Sequence, residues 1–242
     1  MEEFIKKIRD LANRSYEKNI LTYTGFLTPT ERQIIIENFP TSKIVFFGGN
    51  ERCERVRAFF LPDYLEDVCF DEYISAFRVD FSFKELSHRD FLGALLSLGI
   101  ERKCIGDIFV LKNMAFFFAN KDITNFIKSN FSKVGSVGVK LSEVGFDDVV
   151  VAELKLEEIS FTVASLRLDS VVAGAIKESR EKANTIIKIG NVLLNYLECD
   201  NVRKEVKESD VFSVKGYGKF LVSKIGGVSR RGKVFVEVKK YV

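Results

Sequence analysis

The sequence predicts an α+β fold in which an acidic body carries a basic C-terminal module. Its 242 residues leave room for two or three small domains, and the 46% hydrophobic content excludes wholesale disorder. The net charge is only +3, yet from residue 161 onward 16 Lys and Arg stand against 9 Asp and Glu, a net of +7. The remaining residues carry 21 against 25, a net of −4. This split favours a polyanionic partner for the C-terminal part.

The composition argues against a zinc-binding protein, a disulfide-bonded protein and a membrane-spanning protein. The four cysteines are scattered without a C-x-x-C pair, and a single histidine leaves too few ligands for a zinc finger. We expect buried free thiols at Cys53, Cys69, Cys104 and Cys199. The N-terminal segment lacks the apolar core of a signal peptide, and no stretch is long enough to span a bilayer. We therefore expect a cytoplasmic protein with no metal, no other cofactor and no membrane span.

Residues 1–75 are predicted to form an N-terminal α/β domain. A first helix is indicated by apolar residues at helical spacing, Phe4, Ile5, Ile8 and Leu11. A second helix begins where Thr28 provides an N-cap, Pro29 the first helical residue and Glu31 the partner of a capping box. Short apolar strands are expected over 43–47 and 57–61.

Residues 76–160 are predicted to form a ferredoxin-like (RRM-like) middle domain. Apolar residues alternate with polar ones over 77–83, which indicates a half-buried strand. A helix follows from Ser87 to about residue 98, then a hairpin over 108–119, a helix over 122–132 and a strand over 137–141. The element order β-α-β-β-α-β is that of the ferredoxin-like arrangement. Phe116, Phe117 and Phe118 fall on its third strand, where RNA-recognition modules place stacking aromatics, although at least one of the three must face the core.

Residues 161–242 form the basic module. Helices are expected over 168–177 and 180–189, followed by short strands and a C-terminal hairpin around Ser229-Arg230-Arg231-Gly232. Ser179 fits the N-cap of the second helix. Arg180, Asn184 and Lys188 are spaced by four and so share one polar ridge, while Ala183, Ile186 and Ile187 face inward. Together with Arg167 and Lys182, this ridge could straddle phosphates; an ordinary solvated helix face explains the same spacing equally well.

The basic module resembles the S4 (alpha-L) RNA-binding domain. The resemblance is carried by R167-L-D, S179-R-x-x-A183, I187-x-x-G190-x-V192-x-x-N195, D210 and K215-G-x-G218. It implies that the two helices face RNA. The expected RNA-binding residues are Arg167, Ser179, Arg180, Lys182, Asn184, Lys188 and Lys215. The sequence departs from the family pattern at Tyr196 and Ser209, where Gly is usual.

The upstream part is similar to the YlmH family of bacterial S4-domain proteins. The similarity lies in YTGFLTPTER (23–32), FFGGNERCER (46–55) and LSHRDFLGALLSLGIERKCIGDI (86–108), and it covers essentially the whole chain. It implies a non-enzymatic protein that binds RNA on the large ribosomal subunit, with a role in quality control of stalled peptidyl-tRNA complexes. Ribosomal RNA is the expected partner, with tRNA a further one. Within this family, His88 and Arg89 would make a secondary contact with RNA or with a neighbouring domain.

Two motifs with catalytic counterparts have simpler explanations. His88-Arg89-Asp90 resembles a kinase catalytic loop, but the other kinase motifs are missing, and Ser87 with Asp90 makes a capping pair. Asp169 of Arg167-Leu168-Asp169 resembles the catalytic Asp of pseudouridine synthases, whose Thr-Ser-Gly continuation is absent; we expect a helix N-terminal carboxylate or a partner to a nearby Arg. The alternatives to an RNA-binding protein are an RNA-modifying enzyme with an N-terminal site and an adaptor in cell division.

Overall fold

The computed structural model describes residues 2–40, 43–82, 85–151, 156–228 and 232–241. The chain divides into two compact units, Met1–Ala152 and Glu153–Val242, and both mix helices with antiparallel sheets, as an α+β fold requires. The predicted domain boundaries lie after residues 75 and 160. In the structure residues 1–152 form the first unit, where the two upstream sheets share a hydrophobic core, and residues 153–160 belong to the second unit.

The first unit begins with two helices and a small sheet. Its elements are α1 (Glu2–Lys18), β1 (Thr22–Tyr23), α2 (Pro29–Asn38), β2 (Ile44–Phe47) and β3 (Arg57–Phe60), with strand order β1-β3-β2. The predicted capping box is confirmed: the Glu31 N–H donates to Thr28 Oγ1 at 3.2 Å, and the Thr28 N–H donates to Glu31 Oε2 at 2.7 Å. Ile8 of α1 and Ile35 of α2 are buried beneath this sheet's Phe60.

A four-stranded sheet follows in the same unit. Its elements are β4 (Ile74–Asp80), α3 (His88–Ser97), β5 (Ile105–Val110), β6 (Met114–Asn120), α4 (Thr124–Asn130), β7 (Lys133–Val134), β8 (Val137–Gly138) and β9 (Lys140–Val144). The strand order is β5-β6-β4-β9, with every pair antiparallel. β4 begins three residues before the predicted strand, and Phe83 lies outside the described residues. The last sheet strand starts at Lys140, because residues 137–138 pair with β7 in a separate hairpin.

Both faces of this sheet are covered. Phe117 of β6 packs with the helices, against the core that contains Phe91 of α3 and Ile127 of α4. Phe116 and Phe118 point to the other face and join a core that includes residues of the N-terminal part, namely Phe26, Phe59 and Leu61. All three β6 phenylalanines are at most 1% exposed. The hypothesis that they stack on RNA bases is therefore wrong, since the N-terminal part occupies the face that RNA-recognition modules leave open.

The N-terminal part of the first unit (α1 to β3) makes close contacts with this sheet and the segment before it at Gly49 and Arg57. The backbone of Gly49, at φ +104°, lies so near the Phe118 ring that a Cβ would come within 2.2 Å of it. Arg57 is 4% exposed and donates from Nε to the Thr24 carbonyl at 2.7 Å and from Nη1 to the Tyr73 carbonyl. Its guanidinium also lies 4.6 Å from the centre of the Tyr23 ring. Backbone carbonyls and an aromatic face thus hold the buried cation in place of a carboxylate.

The second unit consists of a six-stranded sheet and two short helices. Its elements are β10 (Leu156–Val163), α5 (Leu168–Ile176), α6 (Arg180–Lys188), β11 (Val192–Leu194), β12 (Leu197–Glu198), β13 (Val211–Val214), β14 (Gly218–Val228) and β15 (Val234–Tyr241). The strand order is β10-β15-β14-β13-β11-β12. The two predicted helices are confirmed, and their apolar faces share one core with Phe212 and Phe220 of the sheet. Residues 229–231 of the predicted hairpin turn lie outside the described residues.

The two departures from the S4 pattern fall at strained backbone positions. Asn195 (φ 49°) and Tyr196 (φ 66°) form the two-residue turn between β11 and β12, and Ser209 has φ 70°. A left-handed conformation costs a residue with a Cβ about 1–2 kcal/mol, whereas Gly adopts it freely. The structure therefore explains why Gly is usual at these positions.

Ser209→Gly is expected to stabilise the second unit by roughly 0.5–1 kcal/mol, because relief of the left-handed strain exceeds the added flexibility of the unfolded chain. Its backbone hydrogen bond to the Val222 carbonyl is unaffected by the change. Ser209→Ala keeps the Cβ and should leave stability within a few tenths of a kcal/mol. Native-state hydrogen exchange of the β13 and β14 amides compares the variants, and a Gly variant less stable than the Ala variant would contradict the strain argument.

Candidate nucleic-acid interface

The helix pair is shaped by its own terminal residues. α5 stops at Lys177, which has a left-handed backbone (φ 56°) and donates its N–H to the Gly174 carbonyl at 3.4 Å. Ser179 then caps α6, its Oγ accepting the Lys182 N–H at 3.1 Å, as predicted. The two helices are therefore joined by only three residues, and the Arg180 side chain at the start of α6 reaches the first turn of α5.

The buried carboxylate of Asp169 joins the two helices. It is 1% exposed and accepts hydrogen bonds from Arg167 (Nε 3.2 Å, Nη2 2.9 Å) and from Arg180 (Nε 3.0 Å, Nη2 3.2 Å). Burial alone would raise the pKa of this carboxyl, but the hydrogen bonds from Arg180 and Arg167 outweigh it and hold the pKa below its ordinary value. The interpretation of Asp169 as a partner to a nearby arginine is thus confirmed.

The two arginines remain open to solvent on their outer edges. Their side chains are 34% (Arg167) and 49% (Arg180) exposed, and their Nη1 groups have no partner within the described residues. Two cations around one carboxylate leave a net positive charge on this surface. Because each guanidinium is already fixed by two hydrogen bonds, little conformational entropy is lost when a ligand contacts the outer edge.

The other predicted residues of the second unit lie on α6 and in the turn between β13 and β14. Lys182 and Lys188 are exposed on α6, and Asn184 is half-buried on the same helix. The Asn184 Oδ1 is inaccessible and accepts no hydrogen bond from any residue that the structure describes. Lys215 is exposed in the turn between β13 and β14, and its N–H donates to the Asn191 carbonyl at 3.0 Å, just beyond the end of α6.

Sequence reasoning missed the contact between the β13–β14 turn and the helix pair. The Tyr217 hydroxyl donates to Glu178 Oε1 at 3.2 Å, which links this turn to the segment between α5 and α6. The Lys-Gly-Tyr-Gly run was the available signal for the turn, but no local pattern predicts its partner.

Lys177, at the end of α5, is exposed as well. We name Arg167, Lys177, Arg180, Lys182, Lys188 and Lys215 the basic face.

His88 and Arg89 belong to the first unit. Both are exposed in the first turn of α3, which Ser87 and Asp90 close with the predicted capping box; the Ser87 N–H donates to Asp90 Oδ2 at 2.8 Å. Partial burial of the imidazole and the nearby charge of Arg102 lower the pKa of His88. The Asp90 carboxylate thus has a structural role at the start of the helix.

The cysteines are free thiols with different surroundings. Cys53 is buried, and burial raises the pKa of its thiol strongly, whereas Cys104 and Cys199 are half-buried. Cys69 is exposed, so the expectation of a buried thiol is wrong there: it lies just before a short 3-10 turn (Phe70–Glu72) at the surface. Over the described ranges, no group of His, Cys, Asp and Glu side chains is arranged to hold a metal ion, and no helix is long and apolar enough to cross a membrane.

Asp169→Asn is expected to lower the free energy of unfolding of the second unit by about 1–3 kcal/mol at neutral pH, because two charged hydrogen-bonded pairs are lost. Because the pKa of Asp169 is lowered in the folded state, its carboxylate stabilises the fold at pH values above the ordinary aspartate pKa of about 3.9. This contribution is lost as the pH falls through the folded-state pKa. The variant and the parent should therefore converge in acid. Hydrogen exchange of the α5 and α6 amides as a function of pH measures the difference; the exposed Asp200→Asn is the control, and a constant difference down to about pH 2 would contradict the assignment.

Comparison with known proteins agrees with this architecture. Residues 70–148 match a family model described as "Putative RNA-binding domain in YlmH". The chain is 30% identical over 221 residues to ribosome-associated protein quality control protein P2 of Bacillus subtilis (strain 168), covering 90% of this chain and 86% of that protein. It also resembles the solved structure of cell division protein ylmH from Streptococcus pneumoniae, with 26% identity, a TM-score of 0.52 and coverage of 62% of this chain and 93% of that one. Identity of this extent, along nearly the full length of a YlmH-type relative, establishes that the chain belongs to the YlmH family.

Proposed function

We propose that this chain is a non-catalytic, cytoplasmic RNA-binding protein that grips structured ribosomal RNA on the large ribosomal subunit through the basic face of α5 and α6. The observation that carries the proposal is the fixation of Arg167 and Arg180 on the buried Asp169, which presents their outer edges together in one orientation. The second unit then acts as an S4 domain, and the first unit from residue 76 onward acts as a ferredoxin-like domain beside the N-terminal α/β domain.

The proposed mechanism is electrostatic capture followed by recognition of shape. Exposed lysines on the basic face displace counterions from the RNA backbone, which supplies affinity. The two arginines add planar, doubly hydrogen-bonding edges that suit phosphate oxygens. A-form RNA hides its bases in a deep, narrow groove, so a rigid basic surface selects a folded shape rather than a sequence.

The relatives indicate where such an RNA lies. The Bacillus subtilis relative is named for ribosome-associated protein quality control, and the matched family model is named for RNA binding. We infer that this chain acts in the same process, on large subunits that hold stalled peptidyl-tRNA, with tRNA as a second RNA partner.

The double substitution Lys182→Ala with Lys188→Ala is expected to weaken binding to purified bacterial large subunits. Loss of two phosphate contacts should reduce the slope of log K against log salt concentration by roughly 1.4–1.8. Arg180 is left intact because its removal would uncouple Asp169 and confuse binding with stability. Binding is measured by fluorescence anisotropy of the labelled full-length protein over a series of salt concentrations.

The matched control is Lys6→Ala with Lys7→Ala, which removes two exposed lysines from α1 and changes the net charge equally. This control should keep nearly the parental slope. Equal affinities and slopes for the two double variants, each folded by circular dichroism, would overturn the basic face as the RNA-binding surface.

A cell-division adaptor is the second candidate, favoured by the name of the Streptococcus pneumoniae protein of similar structure. An adaptor that works without RNA would localise to the division septum whether or not Lys182 and Lys188 are present. Fluorescence microscopy of the tagged parent and the double variant separates the two functions. RNA-dependent action predicts that the tagged parent follows ribosomes and that the variant becomes diffuse.

A further inference from the structure

Three sequence segments of the first unit meet at one surface. The Phe26 N–H donates to the Lys103 carbonyl at 2.7 Å, and Arg55 Nη2 donates to the Phe26 carbonyl at 3.0 Å. Asp107 Oδ2 accepts the N–H groups of Glu54 at 2.5 Å and of Arg55 at 2.9 Å. Residues 23–32, 46–55 and 86–108 are therefore one structural feature, although nothing in their local patterns predicts that they touch.

Two arginines lie side by side where these segments meet. Arg55 Nε donates to the Ile105 carbonyl at 3.3 Å, and Arg102 Nη1 donates to the same oxygen at 2.6 Å and to the Gly106 carbonyl at 3.1 Å. Sharing one acceptor fixes the two guanidinium groups next to each other. Arg55 Nη1 and the Nε and Nη2 of Arg102 make no hydrogen bond with the residues described by the structure. We name Arg55 and Arg102 the arginine pair.

The positive charge of the arginine pair is only partly compensated. The carboxylate of Asp107 attracts both arginines and that of Glu31 attracts Arg55, but neither forms an ion pair with them among the described residues. Asp107 Oδ2 accepts backbone N–H groups instead. Other cations of the same unit do have carboxylate partners: Arg78 lies 2.8 Å from Asp80, and Lys121 lies 2.9 Å from Glu143.

The lowered pKa values of both arginines show that their charged forms are destabilised at this position. Burial and the charge of Arg55 lower the pKa of Arg102 to about 10, and burial lowers the pKa of Arg55 as well. Two half-buried like charges repel each other, and an anion placed between them would remove that repulsion. The fixed outer N–H groups present the fork geometry that suits phosphate oxygens.

We propose that the arginine pair, with His88 at its edge, binds an RNA backbone phosphate and makes the second RNA contact of this protein. The sheet face that other RNA-recognition modules use is closed by the N-terminal part, so RNA must approach the first unit on another surface. Residues 70–148, which include Arg102 and His88, match the RNA-binding family model. The identity of the RNA as ribosomal rests on the function proposed above.

Two kinds of variant test the arginine pair in the full-length protein. Arg102→Gln removes one charge, and its matched control is Arg78→Gln, which removes an arginine already paired with Asp80. His88→Glu places a carboxylate beside Arg102 without cutting any hydrogen bond that the described structure shows for His88, in a first helical turn that favours negative charge. His88→Gln is its uncharged control. Anisotropy with purified large subunits over a salt series gives affinity and slope, and hydrogen exchange verifies the fold.

Arg102→Gln and His88→Glu should each weaken binding roughly three- to tenfold and reduce the salt slope by about 0.7–0.9, whereas both controls stay near the parent. Parental binding by folded His88→Glu overturns the arginine pair as an RNA contact, even if Arg102→Gln proves unstable. The Lys182→Ala, Lys188→Ala protein is measured in parallel. Weaker binding by this double variant, together with parental binding by His88→Glu, would support the proposed function and reject only the arginine pair. Parental binding by the double variant, together with weaker binding by His88→Glu, would reject the basic face.

Discussion

The ion pairs of Asp169 are the interaction on which the basic face of the second unit depends. Burial of an isolated carboxylate costs several kcal/mol, so an aspartate that is 1% exposed requires compensation at close range. Arg167, at the start of α5, and Arg180, at the start of α6, supply it with two hydrogen bonds each. The same contacts bring the two helix starts together and fix both guanidinium groups. Helix packing and surface charge are therefore one feature.

A different constraint shapes the first unit, where both faces of the four-stranded sheet are buried. Consecutive phenylalanines of β6 point to opposite sides, so a helical layer alone would leave Phe116 and Phe118 exposed. The N-terminal sheet covers them, and Arg57 and Gly49 hold it there. This covering stabilises the unit but removes the aromatic platform by which such sheets read single-stranded RNA. Contacts to the phosphate backbone remain available instead.

Capping residues next to each helix predicted where helices begin. The strand pairing and the contacts between distant segments were not predictable from local sequence. Thr28, Ser87 and Ser179 act within three residues of themselves, so sequence alone located the starts of α2, α3 and α6. The position of β9 depends on which residues pair with β4, and residues 137–138 were captured by a separate hairpin. Within the candidate interface, the ridge spacing on α6 was predictable. The arginine pair was not, because residues 55 and 102 are distant in the sequence and meet only in the folded chain, where Arg55 Nη2 donates to the Arg102 carbonyl at 3.4 Å and both side chains share the carbonyl of Ile105.

The two basic surfaces use arginine for different purposes. The Asp169 carboxylate neutralises part of the charge of Arg167 and Arg180. These arginines therefore contribute mainly a fixed orientation of their hydrogen-bond donors. The exposed lysines of α6 supply most of the salt-dependent attraction to RNA. At the arginine pair, carbonyl oxygens provide the orientation, and the charge of the guanidinium groups is offset only without direct ion pairing, by Asp107 and Glu31. A phosphate there would gain from geometry and charge at the same residues. Each arginine of the pair should therefore carry more of the salt dependence of binding than an arginine bound to Asp169 does.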